Sequence, residues 1–291
     1  VEEQKPDYAN TDVVRVSIVL SDKSTLQAGY STKDIASNTS AINYRNKLNK
    51  KQQDMTLKIS GVIGQKLDVV WNLTLAANII SANVKYGQIG AIEKIPGVKE
   101  VLIETLYFAD TAQSGTADPN MATSGAQIGS APAWGAGYTG AGSKIAIIDT
   151  GVDAAHQSFD SAAFDYALAE LAEKAGMTAD EYIASLNLMD ADDIAAVADQ
   201  LNADVDAASA YINTKFPYGF NYVDADYDIS HMNDNSGEHG SHVTGIAAAN
   251  RYIPNSDGSF SNAINTVFVQ GVAPDAQIIV MKVFGKNGGA Y

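Results

Sequence analysis

The spacing of hydrophobic and polar residues predicts six elements in the first 105 positions. Residues 13–20 are rich in β-branched side chains and predict a strand. Apolar residues between Ile42 and Met55 have partial helical spacing, with several lysines between them, and predict a helix over residues 40–59. The other predicted elements are strands over residues 67–75, 78–86 and 98–105 and a short helix over residues 87–95. The β-α-β-β-α-β order is that of a split βαβ, ferredoxin-like unit.

Small and polar residues dominate the next segment. Residues 110–129 are rich in Ala, Ser, Thr and Gly and contain the turn-forming sequence Asp118-Pro119-Asn120. This composition predicts an exposed linker. Exposed segments of small residues are preferred sites of proteolytic nicking.

A short apolar run over residues 144–148 ends in Asp149-Thr150-Gly151. Such a run suits a buried strand of a parallel sheet, and open α/β sheets carry their chemistry at the carboxyl ends of the strands. Further strands are predicted over residues 219–223 and 277–283, a helix over 239–250 and a polar loop over 251–265. The second half of the chain is therefore predicted to be of the α/β class.

Residues 160–214 form a strongly acidic segment, with twelve Asp and Glu against the single Lys174. Its apolar residues have helical spacing and predict two or three amphipathic helices inserted after the Asp149 strand. Such a charge run is typical of a solvated face; the alternative is a role in repelling or admitting charged substrates.

Charge is distributed unevenly, since residues 1–110 sum to +1 and residues 111–291 to −16. This step favours two units and argues against nucleic-acid binding, which requires a basic face.

No run of 18 apolar residues occurs, so no membrane span is predicted. The absence of cysteine excludes disulfides and cysteine-ligated zinc, and fits a secreted protein of a Gram-positive bacterium as well as many cytosolic proteins. The start at Val1 lacks the layout of a signal peptide, so we expect any export signal to have been removed.

Two motifs carry candidate chemistry, one around Asp149 and one around His239. A hydroxyl nucleophile needs a base within hydrogen-bond reach, and histidine has a suitable pKa. The base in turn needs a carboxylate that fixes its tautomer and stabilises the imidazolium. Asp149 at a strand end suits the carboxylate and His239 at a helix start suits the base. Gly240 is expected to leave room for the substrate backbone.

A third motif follows in order, Gln270-Gly271-Val272-Ala273-Pro274-Asp275-Ala276 before the strand 277–283. Together the three motifs resemble those of subtilases: D-[ST]-G, H-G-[ST]-H-V-x-G and G-V-A-P-x-A, in the chain order Asp, His, Ser. The acidic insertion, the segment 137–142 and the strand containing VMKVF are similar to the cell-envelope proteinases of the lactocepin and C5a-peptidase group. The resemblance implies an incomplete doubly wound parallel sheet preceded by a small α+β, ferredoxin-like propeptide domain.

The resemblance also implies the roles of the parts. Asp149 is expected to orient His239, the general base and acid, whereas His242 is expected to be structural. Residues 1–110 are expected to be an inhibitory and chaperoning propeptide. Residues 111–143 would hold the processing linker, cut between Tyr107 and Asn120, and the start of the catalytic domain. Residues 144–291 would be the first part of that domain, including the insertion 160–214. The substrate would be a protein or peptide, and a segment continuing from Tyr291 would supply the absent serine and the oxyanion hole.

The sequence is also compatible with metal binding and with two rival functions. Asp224, Asp226 and Asp228, with Asp234, could bind a structural calcium ion through oxygens, or form a solvated loop. His156 is followed by Gln157-Ser158, where many subtilases have Pro-Asp, so an ion held through that carboxylate is not expected. His231 is interpreted as a loop residue.

The first rival function is a metal-dependent hydrolase with zinc on His239, His242 and an acid, although the glutamate of HExxH is missing. The second is an inactive subtilase-like binding or inhibitory module.

Overall fold

A four-stranded antiparallel sheet and its helices form the first of two units, which ends at Thr105; the second runs from Leu106 to Ala290. The computed structural model describes residues 8–32, 35, 37–107, 121–198, 205–234, 236–286 and 289–290. The elements of the first unit are β1 (Val13–Leu20), α1 (Thr39–Ile63), β2 (Asp68–Leu73), β3 (Ile79–Lys85), α2 (Ile89–Ile92) and β4 (Val98–Ile103). The predicted order of elements is thereby confirmed, and the strands lie in the order β2-β3-β1-β4.

Alternation along β1 explains how the first unit obtains its core. Its even-numbered residues, from Val14 to Leu20, are buried with the Leu67 and Ile80 side chains, while the odd-numbered ones are more accessible. Asn38 caps the start of α1, and its side chain accepts hydrogen bonds from two amides of the first turn. The helix runs beyond the predicted residue 59 to Ile63, and it is capped by Gly64, whose left-handed φ of +70° suits a C-cap.

A parallel sheet with strand order β5-β9-β6 organises the second unit. The strands of this unit are β5 (Lys144–Asp149), β6 (Tyr218–Asn221), β7 (Tyr252–Pro254), β8 (Phe260–Asn262) and β9 (Gln277–Lys282). The helices are α3 (Met121–Ile128), α4 (Ser130–Gly135), α5 (Ser161–Ala175), α6 (Ala179–Leu186), α7 (Ala191–Val197), α8 (Ala207–Ala210), α9 (His239–Ala248) and α10 (Ala263–Thr266). The predicted fold class, an incomplete doubly wound parallel sheet preceded by a small α+β ferredoxin-like unit, is confirmed.

The two faces of the parallel sheet have different cores. On one face Ile147, Ile278 and Val280 pack with the end of α9 and with Phe216. On the other face Tyr218 and Phe220 pack with residues of α7 and α8. The second core covers β6 and reaches Ile279 of β9, and Ile148 of β5 is left 61% exposed.

The acidic insertion folds into four described helices, α5 to α8, where two or three were predicted. Residues 199–204 of this insertion lie outside the described part. Several of the acids have a structural task, because Asp160, Asp190 and Asp206 each accept backbone amides at a helix start. The acidic composition therefore reflects helix capping as well as a solvated face.

Two predicted irregular segments contain regular structure. The prediction of an irregular linker over residues 110–129 is wrong over its second part, where residues 121–128 form α3. Residues 108–120, with most of the expected processing site, lie outside the described part. The predicted loop 251–265 forms the antiparallel hairpin β7–β8 and the start of α10. Tyr166 of α5 stacks on Phe260 and meets Tyr252 edge-on, so tertiary aromatic packing stabilises this polar hairpin.

Candidate active site

Asp149 and His239 form a two-point contact at the carboxyl edge of the parallel sheet. His239 Nδ1 lies 2.8 Å from Asp149 Oδ1 and 3.0 Å from Oδ2. An ionised carboxylate can only accept hydrogen bonds, so its hydrogen bond with this ring requires a proton on Nδ1. The structure thus joins the two side chains that the sequence singled out, although 90 positions separate them.

Solvent reaches the two partners unequally. The His239 side chain is 47% exposed, whereas the Asp149 side chain is 15% exposed. A ring that is open on one side and held on the other is suited to proton transfer, since a reacting group can approach while the carboxylate stays shielded. The arrangement can therefore serve a general base oriented by a carboxylate.

Strand β5 and helix α9 position the pair from opposite sides. Asp149 is the last residue of β5, and the backbone amide of Thr150 donates to its Oδ1 at 2.7 Å. His239 is the first residue of α9, and Glu238 before it makes no capping hydrogen bond with its side chain. The buried amide of Gly240 donates instead to Thr150 Oγ1 at 2.9 Å. The motif around Asp149 therefore contacts both the ring and the backbone of the motif around His239.

Gly240 has a packing role that the sequence did not indicate. It is buried, and a Cβ added there would lie closer than 3.0 Å to the carbonyl oxygen of Gly151, a separation that real Cβ atoms essentially never show. The expectation that Gly240 leaves room for a substrate is therefore wrong. Its missing side chain lets the first turn of α9 approach the turn after Asp149.

The third motif holds the other end of α9. The amides of Gly271, Val272 and Ala273 donate to the carbonyl oxygens of Ala249, Ile246 and Ala247. These carbonyls belong to the end of a helix, where intrahelical donors are lacking. The motif that precedes β9 thus fixes the carboxyl end of α9, the helix that begins with His239.

A buried lysine beneath the site was missed in the sequence. Lys282 is the last residue of β9 and pairs with Asp149 of β5 in the sheet register. Its Nζ lies 2.6 Å from Asp234 Oδ2 and also donates to the Ser230 carbonyl. The side chains of Lys282 and Asp234 are 2% and 1% exposed. Because residues 230–234 lead towards His239, this pair fixes the approach to α9. A lysine in an otherwise apolar strand was the available signal.

A second buried cation was also missed. Lys215 is completely buried, and its Nζ donates to the carbonyls of Pro274 and Ala276 at 2.8 and 2.9 Å. It also lies 4.7 Å from the ring centre of Phe164 in α5. Burial lowers the pKa of Lys215 to about 7, while the nearby Asp275 carboxylate acts in the opposite direction. Lys215 therefore ties the acidic insertion to the start of β9.

The aspartates considered for calcium surround one open pocket of about 530 Å³. Asp226 and Asp228 accept hydrogen bonds from amides of their own loop, and Asp224 accepts from Asn221 and from the amide of Lys286. Hydrogen bonds from Ser230 and Asn233 lower the pKa of the Asp228 carboxyl. Within the described ranges, no group of three or more His, Cys, Asp or Glu side chains is arranged to hold a metal ion. Calcium binding stays a prediction.

The other histidines lie apart from this contact. His242 Nε2 is 3.6 Å from Glu238 Oε1, and both side chains are exposed. His156 accepts the amide of Ser158 and packs edge-on against Phe159, so it stabilises a turn. His231 lies in the loop 229–234 that precedes α9.

The chain is similar to known proteinases over most of its length. The model of the subtilase family matches residues 140–291. The PII-type proteinase of Lactococcus lactis subsp. cremoris is 26% identical over 285 residues, which cover 97% of this chain and 12% of that protein. The same figures hold for the PII-type proteinase of Lacticaseibacillus paracasei. The minor extracellular protease Vpr of Bacillus subtilis (strain 168) is 26% identical over 220 residues, which cover 72% of this chain and 19% of that protein. The chain thus spans a small part of the length of these relatives.

Proposed function

Because this chain belongs to the subtilase family, we propose that it is the Asp- and His-bearing part of a serine endopeptidase that hydrolyses peptide bonds in proteins. The two-point contact between Asp149 and the Nδ1 edge of His239 is the observation on which the proposal depends. It is the contact that holds a general base in the tautomer needed to accept a proton at Nε2.

The proposed reaction is acyl transfer through a serine ester. A serine hydroxyl from another segment of the protease attacks the substrate carbonyl while His239 takes its proton at Nε2. Asp149 holds the ring and stabilises the imidazolium that forms. His239 returns the proton to the leaving amine, and a water molecule, activated by the same ring, releases the acid. Donors in the serine-bearing segment stabilise the oxyanion.

The exposure of one side of β5 supports the proposal that another segment of the protease packs against this strand. Ile148 is 61% exposed on the sheet face where α7 and α8 pack against β6 and against Ile279 of β9. A strand of an open α/β sheet is ordinarily covered on both faces. The small share of the relatives' length that the chain spans also supports a larger protease. We assign the covering of β5 to the segment that carries the serine.

Residues 1–110 are proposed to be a propeptide, so the chain is a precursor form. Their separate core and charge near zero support a unit that can leave the acidic remainder. The cut is placed between Tyr107 and Asn120, largely outside the described residues.

We further propose an extracellular location in a Gram-positive bacterium. The Bacillus relative is named as an extracellular protease, which supports this location. None of the helices in the described ranges combines the length and apolar character that crossing a bilayer requires.

Labelling with a fluorophosphonate tests the proposal against its rivals. The chain would be produced together with its serine-bearing segment, and labelling and casein hydrolysis would be followed with and without a chelator. We expect chelator-resistant labelling and hydrolysis, both lost in His239→Ala. Hydrolysis that a chelator abolishes, without labelling, would support a metal-dependent enzyme. Neither labelling nor hydrolysis from the natural protein would support an inactive binding module.

A further inference from the structure

Thr150 bonds the Asp149 side chain and the backbone amide of Gly240, the residue after His239. Its amide donates to Asp149 Oδ1 at 2.7 Å, and its hydroxyl accepts the amide of Gly240 at 2.9 Å. The residue is 1% exposed, so water does not compete for these bonds. One residue thus fixes the carboxylate and the first turn of α9.

The bond to Gly240 replaces a missing helix cap. The first amides of a helix have no intrahelical acceptor, and the residue before the helix ordinarily supplies one from its side chain. Glu238 makes no such bond in α9. The hydroxyl of Thr150, from a different part of the chain, satisfies the amide next to His239.

A second hydroxyl bridges the same two motifs in the opposite direction. Ser241 Oγ accepts the amide of Asp153 at 2.9 Å. Each motif therefore lends one hydroxyl to a backbone amide of the other. Within α9, Thr244 also donates to the carbonyl of Gly240 at 2.6 Å. The turn that carries His239 is held on both sides of its peptide backbone.

We propose that Thr150 is a positioning residue for His239, whose hydroxyl holds the first turn of α9 at the distance that keeps Nδ1 on the Asp149 carboxylate. The importance of this position for catalysis rests on the proposed function. Small displacements of a catalytic group reduce rates strongly, and supporting hydrogen bonds prevent them. Thr150 makes the bond to Gly240 through its hydroxyl, so serine can replace it and valine cannot.

The tautomer of the His239 ring tests this role without any need for the serine. Long-range ¹H–¹⁵N spectra of the ¹⁵N-labelled 291-residue chain, at about pH 9 where imidazoles are neutral, show which ring nitrogen carries the proton. In the unchanged chain we expect His239 to be protonated mainly at Nδ1, and the exposed His242 mainly at Nε2. Thr150→Val should convert His239 to the pattern of His242, and Thr150→Ser should restore Nδ1 protonation.

Thr266→Val is the matched control, since it removes an exposed hydroxyl from α10 by the same chemical change. It should leave His239 protonated at Nδ1. A folded Thr150→Val chain that keeps the wild-type Nδ1 population would overturn the proposal. If that variant does not fold, hydrogen exchange of the Gly240 amide in the unchanged chain decides. We expect exchange at least about tenfold slower than in an unstructured peptide, and exchange at the peptide rate would overturn the proposal.

These outcomes are separable from the test of the protease. A correct tautomer response with no hydrolysis by the complete protein would contradict the proposed function and leave the role of Thr150 in place. Hydrolysis by the complete protein, together with an unaltered His239 tautomer in Thr150→Val, would support the proposed function and contradict the role of Thr150.

Discussion

Lys282 Nζ lies 2.6 Å from Asp234 Oδ2, and both side chains are almost completely buried where β9 meets the loop before His239. A buried ion pair of this kind contributes little net stability compared with apolar residues, because both charges lose their hydration. Removing one partner is different, because an uncompensated buried charge remains. The pair therefore makes the approach to His239 sensitive to single substitutions.

Lys282→Met should lower the free energy of unfolding of the second unit by about 3–5 kcal/mol, since it leaves Asp234 buried without its counter-ion. The chain has two tryptophans, Trp71 in the first unit and Trp134 in the second. In a Trp71→Phe background, the fluorescence of Trp134 therefore reports denaturant unfolding of the second unit alone. The matched control is Lys51→Met, whose partner Asp22 lies at 2.7 Å but whose side chain is 45% exposed. That substitution, followed by Trp71 after Trp134→Phe, should change the unfolding of its own unit by less than about 1 kcal/mol. Equal effects of the two substitutions would contradict this interpretation.

Gly240 and Gly245 offer an opposed pair of glycine substitutions on one helix. Gly240→Ala should destabilise the second unit by roughly 3 kcal/mol or more, because its Cβ would meet the Gly151 carbonyl. Gly245→Ala should stabilise it by up to about 1 kcal/mol, because the added Cβ would meet no neighbouring atom within 4 Å beyond the backbone of its own helix, and alanine favours a helix. Unfolding monitored by Trp134 gives both values. A tolerated Gly240→Ala would show that α9 does not approach Gly151 closely.

The stability of the second unit should depend on pH through Lys215. Its folded pKa is about 7, below the value of 10.5 for the free side chain. Between these values the unfolded chain binds the additional proton, so Lys215 should make the free energy of unfolding rise with pH from about 7 to about 10. Below about pH 7 the lysine is protonated in both states and this dependence ends.

Comparison of the unchanged chain with Lys215→Met isolates that contribution. The difference in slope should approach about 1.4 kcal/mol per pH unit at its steepest, the limit for one proton. Denaturant midpoints at several pH values between 6 and 10 would supply it. Parallel curves for the two proteins would show that Lys215 stays charged in the folded unit.

The sequence predicted the elements whose signal is local. Strand β1 was predicted with its observed limits because alternating β-branched residues are read within a few positions. The Asp149–His239 contact was predicted from chemical requirements and from the resemblance of three motifs.

Features that depend on distant contacts were not predictable in this way. The packing of Gly240 depends on Gly151, and the Lys282–Asp234 pair joins residues that no periodicity connects. The β7–β8 hairpin depends on stacking with Tyr166. In each of these cases the deciding contact joins residues that are distant in the sequence and leaves no local signal.

Peptide hydrolysis by the Asp149→Asn variant decides whether Asp149 orients the catalytic base. It would be measured in the complete protease that includes the serine-bearing segment. Asparagine retains the shape of the side chain but is neutral, so its NH2 group can donate to Nδ1 and select the wrong tautomer, and it does not stabilise the imidazolium. We predict that kcat falls on the order of 10⁴-fold while KM changes little, the scale known for an orienting carboxylate. A variant that hydrolyses the peptide at a rate close to that of the unchanged protein would contradict the claim.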